Sequence, residues 1–218
     1  PTDIKMCKET GHRIVFGYTS DLDVLLTYNE EEFNKLVEAN VKGDIYRDGD
    51  EDITDMESFS RIIAYYMANG LGGEADITDK KVVDYLLEHF EHTFSLGGTA
   101  AQGAAAMASV GMPLIAHISD KSKEVCDLMD YEGLNAIVGE QQVPIREIHT
   151  GEPVYHVVFS YTKGDSFVLH GKRYEVPISN RVILDYDTIH KDIVVKDDFK
   201  NYLEQHADQM ISYNVSGF

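Results

Sequence analysis

A chain of 218 residues, 43% of them hydrophobic, can bury one substantial core with a smaller appended subdomain. Its 38 acids against 19 bases leave a formal charge of −19 and a pI near 4.7, so the surface repels nucleic-acid backbones and anionic lipid, and neither is expected as a partner. No window approaches eighteen apolar residues, the charged segment PTDIKMCKETGHR lacks the apolar stretch of a secretory signal, and two cysteines, Cys7 and Cys126, are too few for a disulfide framework. Both read as free thiols in a reducing compartment, which makes the expected location cytoplasmic.

The first element is a short apolar run, RIVFGY at 13–18, which suits a buried strand and opens into TSDLD, placing acids at its C-terminal mouth. Asn29 with Glu32 resembles a capping box, and Phe33, Leu36, Val37 and Val41 follow at helical spacing before a polar loop at 43–52. Thr54 and Glu57 repeat the capping pattern ahead of the stripe Phe59, Ile62, Ile63, Tyr66 and Met67, which ends at Asn69-Gly70. GLGGEADITD then reads as a Gly-rich loop carrying Glu74 and Asp76, and 80–90 as a third helix.

From Gly97 the pattern changes. A helix of small residues, GGTAAQGAAAMASVG, precedes the strand PLIAHI, a helix at 121–130 and a strand near 136–138, an alternation that predicts a parallel sheet with crossover helices. Short strands are predicted at 154–161, 166–169, 173–176 and 181–185, with turns at Gly164 and Gly171 and no requirement that they join the same sheet. A helix at 196–206 and a strand at 209–213 return to the first pattern. The expected organisation is an α/β core of 1–22, 93–148 and 185–218, with a strand-and-helix lid of 23–92 and 149–184 placed to cover a ligand at the strand mouths.

Each candidate site residue has a plainer role beside the functional one. Asp21 and Asp23 stand where open α/β folds bind ligands and can accept hydrogen bonds from hydroxyls, yet they equally suit an Asx-turn or helix cap. Gly97 and Gly98 can bring a ligand close to backbone N–H groups at a helix N-terminus, or can form a tight turn with close packing. No G-K-[ST] follows them, and GLGGEA lacks the preceding strand of a dinucleotide fingerprint. His89 and His92 could share a helix face, but a metal site would lack a third ligand; the acids at 44–55 do not have EF-hand spacing, and Cys126 has no activating neighbour in sequence.

Four segments in order resemble the ADP-dependent glucokinases and phosphofructokinases: GYTSDLDVL their strand and N-x-D turn, SLGGTAAQGAAAMASVGMP their GG-x-A helix, VYHVVFSYTKGDSFVLHGKRYEVPISNRVILDYD their H-x-x-F-E-[FY]…NR-x-I stretch, and ISYNVSGF their strand ending in SGF. The resemblance implies a ribokinase-like core with a mostly parallel sheet flanked by helices plus a lid. It also implies transfer of a phosphoryl group from ADP, with Mg²⁺, to a hexose or hexose phosphate in carbohydrate metabolism. Asp23, with Asp21 in the N-x-D asparagine's place, would hold sugar hydroxyls. Gly97 and Gly98 would present backbone near the sugar, and Glu74, or else Asp76, would stand for the lid acid. His156 matches the H of H-x-x-F, and Arg181 the NR arginine, whose guanidinium fork suits a sugar phosphate but can also pair with Asp185 or Asp187. The chain departs from the pattern at Asp21 and at Ser160, where the family has an acid. The resemblance places the catalytic G-x-G-D aspartate beyond Phe218, so the natural protein is expected to continue, with the acceptor side in this chain. An ATP-dependent ribokinase-like kinase and a non-catalytic carbohydrate-binding protein are the alternatives that remain at this point.

Overall fold

In the computed structural model, which describes residues 2–189 and 194–216, the chain opens with helix α1 (Thr2–Thr10), which no periodicity announces, and strand β1 (Arg13–Tyr18). The expected turn at Asp21 and Asp23 is instead the start of a strand, β2 (Asp21–Leu26). The alternation of Leu22, Val24 and Leu26, all buried, with Asp21, Asp23 and Leu25 has period two and explains it. Helix α2 (Glu30–Asn40) follows, capped by Asn29, whose side chain accepts the Glu32 N–H at 3.0 Å.

Helix α3 (Met56–Asn69) buries the predicted stripe, but its cap is Asp55, in a reciprocal box with Ser58, and not Thr54 with Glu57. Gly70 ends it in the left-handed region at φ 62°. The expected Gly-rich loop contains strand β3 (Gly73–Asp76), so Glu74 and Asp76 are strand residues. Helix α4 (Lys80–His89) and strand β4 (His92–Gly97) come next, which places His89 and His92 on different elements and ends the idea of a shared helix face. Three helices do not run uninterrupted here, because β2, β3 and β4 lie among them.

Helix α5 (Thr99–Ser109), strand β5 (Leu114–Ala116), helix α6 (Lys123–Leu128) and strand β6 (Leu134–Val138) match the predicted alternation. Strand β7 (Gln141–Pro144) is an unforeseen hairpin partner of β6. The strands β8 (Tyr155–Tyr161), β9 (Ser166–Leu169), β10 (Lys172–Glu175) and β11 (Asn180–Tyr186) precede helix α7 (Asp197–Gln205) and strand β12 (Met210–Ser216). Gly217 and Phe218 of the SGF motif lie outside the described residues.

The chain divides into two compact units, one of Pro1–Leu22, Ser95–Val154 and Thr188–Phe218, the other of Asp23–Phe94 and Tyr155–Asp187. In the first, the sheet order is β12-β1-β5-β6-β7, parallel except for the β6–β7 pair. Helix α5 packs on this sheet through Ala100, Ala101, Ala104, Ala105 and Ala108. Its Gly103 lies so close that an added Cβ would meet the Phe16 ring at 2.9 Å, which is why the helix is built of small residues. Phe199 and Tyr202 of α7 pack with Val15, Ile115 and Ile137.

In the second unit the sheet order is β3-β11-β8-β2-β4, with β9 and β10 as a separate hairpin. Helices α2, α3 and α4 share one core with the sheet, centred on Phe33, Phe59, Phe159 and Phe167. Buried Arg61 anchors the acidic loop at 43–52: its guanidinium donates to Glu51 at 2.6 Å, to Glu57 at 3.1 Å and to the Tyr46 carbonyl at 2.9 Å. Of the acids in that loop, Glu51 is the one that receives Arg61. No helix among the described residues is long and apolar enough to cross a membrane.

Candidate functional site

One face of the second unit's sheet is buried in the core; the other is partly exposed and carries charged side chains together with the apolar Val158 and Ile183, a division set by strand alternation. Ala75, Val157, Phe159, Tyr161, Val182 and Leu184 point into the core. Residues directly opposite one another across strands share a face, and Asp76 on β3, Asp185 on β11 and His156 on β8 are in register, so these three form a row on the other side. Glu74 lies two residues before Asp76, and Arg181, opposite Ser160, lies four before Asp185; both belong to the same polar face. A carboxylate oxygen of Asp23 comes within 4.8 Å of a His156 ring nitrogen. Four of the residues singled out from sequence, Asp23, Glu74, His156 and Arg181, therefore project from one surface.

They are not equally close. His156 Nε2 is 3.7 Å from Asp185 Oδ1 and 4.0 Å from Asp187 Oδ2, while Arg181 is roughly 13 Å further along β11, at about 3.3 Å per residue. Arg181 therefore does not pair with Asp185; its guanidinium is exposed and makes no ion pair among the described residues. Burial pushes the Asp185 carboxyl up to about 6; the His156 cation opposes this, and the charges of Glu74, Asp76 and Asp187 add to it. The face is thus polarised: acids crowd around one histidine at one end, and an uncompensated arginine stands at the other. Sequence reading passed over Asp185 and Asp187 as site residues, although VILDYD carries its own signal, since acids alternating with buried Val182 and Leu184 must share the polar face.

In the first unit, Asp21 is buried and Gly97 ends β4. Gly98 caps α5 at φ 83°, where an added Cβ would lie 2.7 Å from the Thr19 carbonyl oxygen. The close neighbour of Gly98 is therefore the segment preceding Asp21, and the close-packing role applies here. That segment is held by a group no motif revealed. Asp120 is fully buried, and its carboxylate accepts the Ser122 N–H at 2.7 Å and the Val154 N–H at 2.8 Å. Its backbone N–H and carbonyl exchange hydrogen bonds with the Ser20 hydroxyl at 3.1 and 3.0 Å. Cys126, also buried, has its thiol pushed up to about 11, chiefly by burial, so it holds little of the reactive thiolate near neutral pH.

A mostly parallel sheet flanked by helices, with a second unit of mixed strands and helices, places the chain among the α/β proteins. The family model of the ADP-specific phosphofructokinase/glucokinase conserved region matches residues 12–218, and the chain belongs to this family. No curated protein matches the chain. Among solved structures, a hypothetical ADP-dependent phosphofructokinase from Pyrococcus horikoshii OT3 superposes with a TM-score of 0.78 at 23% identity, over 94% of this chain and 48% of that one. A protein described as the last common ancestor of ADP-dependent phosphofructokinases from Methanosarcinales gives 0.75 at 20% identity, over 99% and 47%. An ADP-dependent kinase in complex with fructose-6-phosphate and ADPβS gives 0.69 at 18% identity, over 94% and 41%. The chain thus spans a little under half the length of these relatives.

Proposed function

We propose that the protein carrying this chain is a sugar kinase that transfers a phosphoryl group from ADP to a hexose or hexose phosphate, of the glucose or fructose 6-phosphate type, and that this chain carries mainly the acceptor side. The observation that carries this is the polar sheet face with Asp23, Glu74, His156 and Arg181 together. Family membership adds the donor, and the relative solved with fructose-6-phosphate and ADPβS supplies the substrate classes.

The chemistry suits a sugar. Asp23 can accept hydrogen bonds from adjacent hydroxyls, with His156 beside it, and Glu74 can accept from a further hydroxyl. An acceptor with its hydroxyls at the Asp23 and His156 end would direct a phosphate away from the acids and toward the Arg181 end of the strand, where a guanidinium fork suits it. Asp21, as a further carboxylate, and Gly97 and Gly98, presenting backbone near the sugar, are also proposed as acceptor residues.

Magnesium is expected with ADP, because it neutralises charge on transferring phosphates. Among the described residues no three carboxylates converge on one point, and the tightest acid cluster on the polar face has a histidine ring in its midst, so we assign no Mg²⁺ ligand to this chain. The protein is expected to act in the cytoplasm and in glycolysis-type sugar metabolism.

The test is phosphoryl transfer by the full-length protein with ADP and with ATP, offered glucose and fructose 6-phosphate, for the wild type and Asp23→Ala. Loss of one charge-assisted hydrogen bond is worth about 1.5–3 kcal/mol, so Asp23→Ala should lower kcat/KM for the sugar at least about tenfold. Asp21→Ala should do less, and nucleotide affinity should be nearly unchanged. Strong preference for ATP would make this an ATP-dependent kinase, and no transfer to either sugar would leave a carbohydrate-binding protein.

A further inference from the structure

The polar face contains a relationship beyond direct contact with a sugar. Asp185 is the cross-strand partner of His156, with Asp76 as its neighbour on the other side, so the carboxylate stands between an acid and an imidazole in one row. Its Oδ1 is 3.7 Å from His156 Nε2, nearer than Asp187 at 4.0 Å, and both carboxylates are largely shielded, with side-chain exposures of 22% and 12%. The titratable groups grouped around the pair are Glu74 and Asp76 from β3, Asp187 after β11, and Asp23 from β2. All are acids, so His156 is the one basic side chain among these groups.

Building on the acceptor-side reading above, we propose that Asp185 is a positioning residue: it fixes the His156 imidazole against β11 and keeps it cationic on the polar face, so that an incoming sugar meets an ordered imidazolium. A lone histidine among solvated acids would rotate freely. Here β-sheet register sets the Cα positions of both partners, and the short aspartate side chain restricts where the ring nitrogen can rest. The coupling is reciprocal, since the cation is what opposes the rise in the Asp185 pKa to about 6. An Asp185 that took up its proton would release the ring.

The test uses the full-length protein and histidine and aspartate NMR titrations, which need no sugar. In Asp185→Asn the midpoint of the His156 titration should fall by about one pH unit, a tenfold change in its protonation equilibrium, and Asp185→Glu should restore part of it. In His156→Gln the Asp185 midpoint should rise above its wild-type value, an arm that stands even if Asp185→Asn does not fold. Asp187→Asn should move His156 less than Asp185→Asn does. A His156 that titrates alike in wild type and Asp185→Asn overturns the proposal, as does an Asp185 midpoint unmoved in His156→Gln, or a larger effect from Asp187→Asn. With sugar present, Asp185→Asn should raise the acceptor KM several-fold with a smaller change in kcat; the wild type should lose kcat/KM as Asp185 takes up its proton at low pH, and Asp185→Asn should not show that loss. Coupled titrations with an unaltered acceptor KM would support the pairing and instead remove the acceptor-side reading.

Discussion

Asp120 and Val154 lie 34 residues apart in sequence, and the Asp120 carboxylate accepts the Val154 backbone N–H at 2.8 Å from a fully buried position. The other oxygen accepts from Ser122, so both ends of the carboxylate are used, and Val154 in turn presents its carbonyl to the Leu22 N–H at 2.8 Å. Asp120→Asn keeps the shape but offers one acceptor where two N–H groups arrive, turning an amide NH₂ toward a donor. The expected cost is about 2–4 kcal/mol, read as a fall in the urea midpoint with an unchanged slope. A variant as stable as the wild type would show that the buried carboxylate is dispensable.

Gly98 makes a backbone prediction. At φ 83° it lies where L-residues are strained, and an added Cβ would collide with the Thr19 carbonyl oxygen at 2.7 Å, an atom that cannot swing aside. Gly98→Ala should destabilise the protein by at least about 2 kcal/mol and lower Tm by several degrees in calorimetry. Gly43, whose Cβ would meet nothing within 4 Å, is the control position: Gly43→Ala should leave Tm nearly unchanged.

Asp185 sets a dependence of stability on pH. Its carboxyl is raised from the ordinary 3.8 to about 6 on folding, so the folded state holds an extra proton between pH about 4 and about 6. The unfolded state binds fewer protons in that window, and stability contributed by this group therefore falls as pH rises through it, by about 2–3 kcal/mol in all. Asp185→Asn should remove this loss and be more stable than the wild type at pH 8, with a smaller difference at pH 4. Urea unfolding at the two pH values reads the difference directly. A site that gives up stability for an ionised group fits a functional position.

Cys126 should resist alkylation. Its thiol is buried and pushed up to about 11, so iodoacetamide at pH 8 should leave it unmodified in the native protein and modify it on unfolding, as mass spectrometry of the labelled peptide would show. Rapid labelling of native Cys126 would contradict the buried placement of α6.

The legible parts of the sequence were those in which one local signal suffices. The α3 stripe from Phe59 to Met67, the Asn29 cap and the apolar run of β1 each carry their own periodicity or cap. Strands β2 and β3 were read as turn and loop because Asp21, Asp23, Glu74 and Asp76 are poor strand formers, and only pairing in the sheet, with one apolar face buried, overrides that preference. The site was legible in part for the same reason. Asp23 follows from its place after a strand as well as from the resemblance, and Glu74, His156 and Arg181 from the resemblance; that three of the four lie near a row with Asp76 and Asp185 depends on the register of β3, β11 and β8, pairings across tens to more than a hundred residues that no local pattern encodes. Asp120 belongs to no motif, and its importance appears only once its burial and its two N–H partners are known.

The row of Asp76, Asp185 and His156 also bears on how the sheet finds its pairing. If β11 slipped by one residue, Arg181 and Asp185 would be driven into the space beside Phe159, while Val182 and Leu184 would turn out to water. A carboxylate forced there without its histidine would be far more unfavourable than a misplaced apolar side chain. The charged face thus works as an error check on assembly: the same residues that would greet a sugar make every slip of their own strands by an odd number of residues conspicuous to the solvent and intolerable to the core.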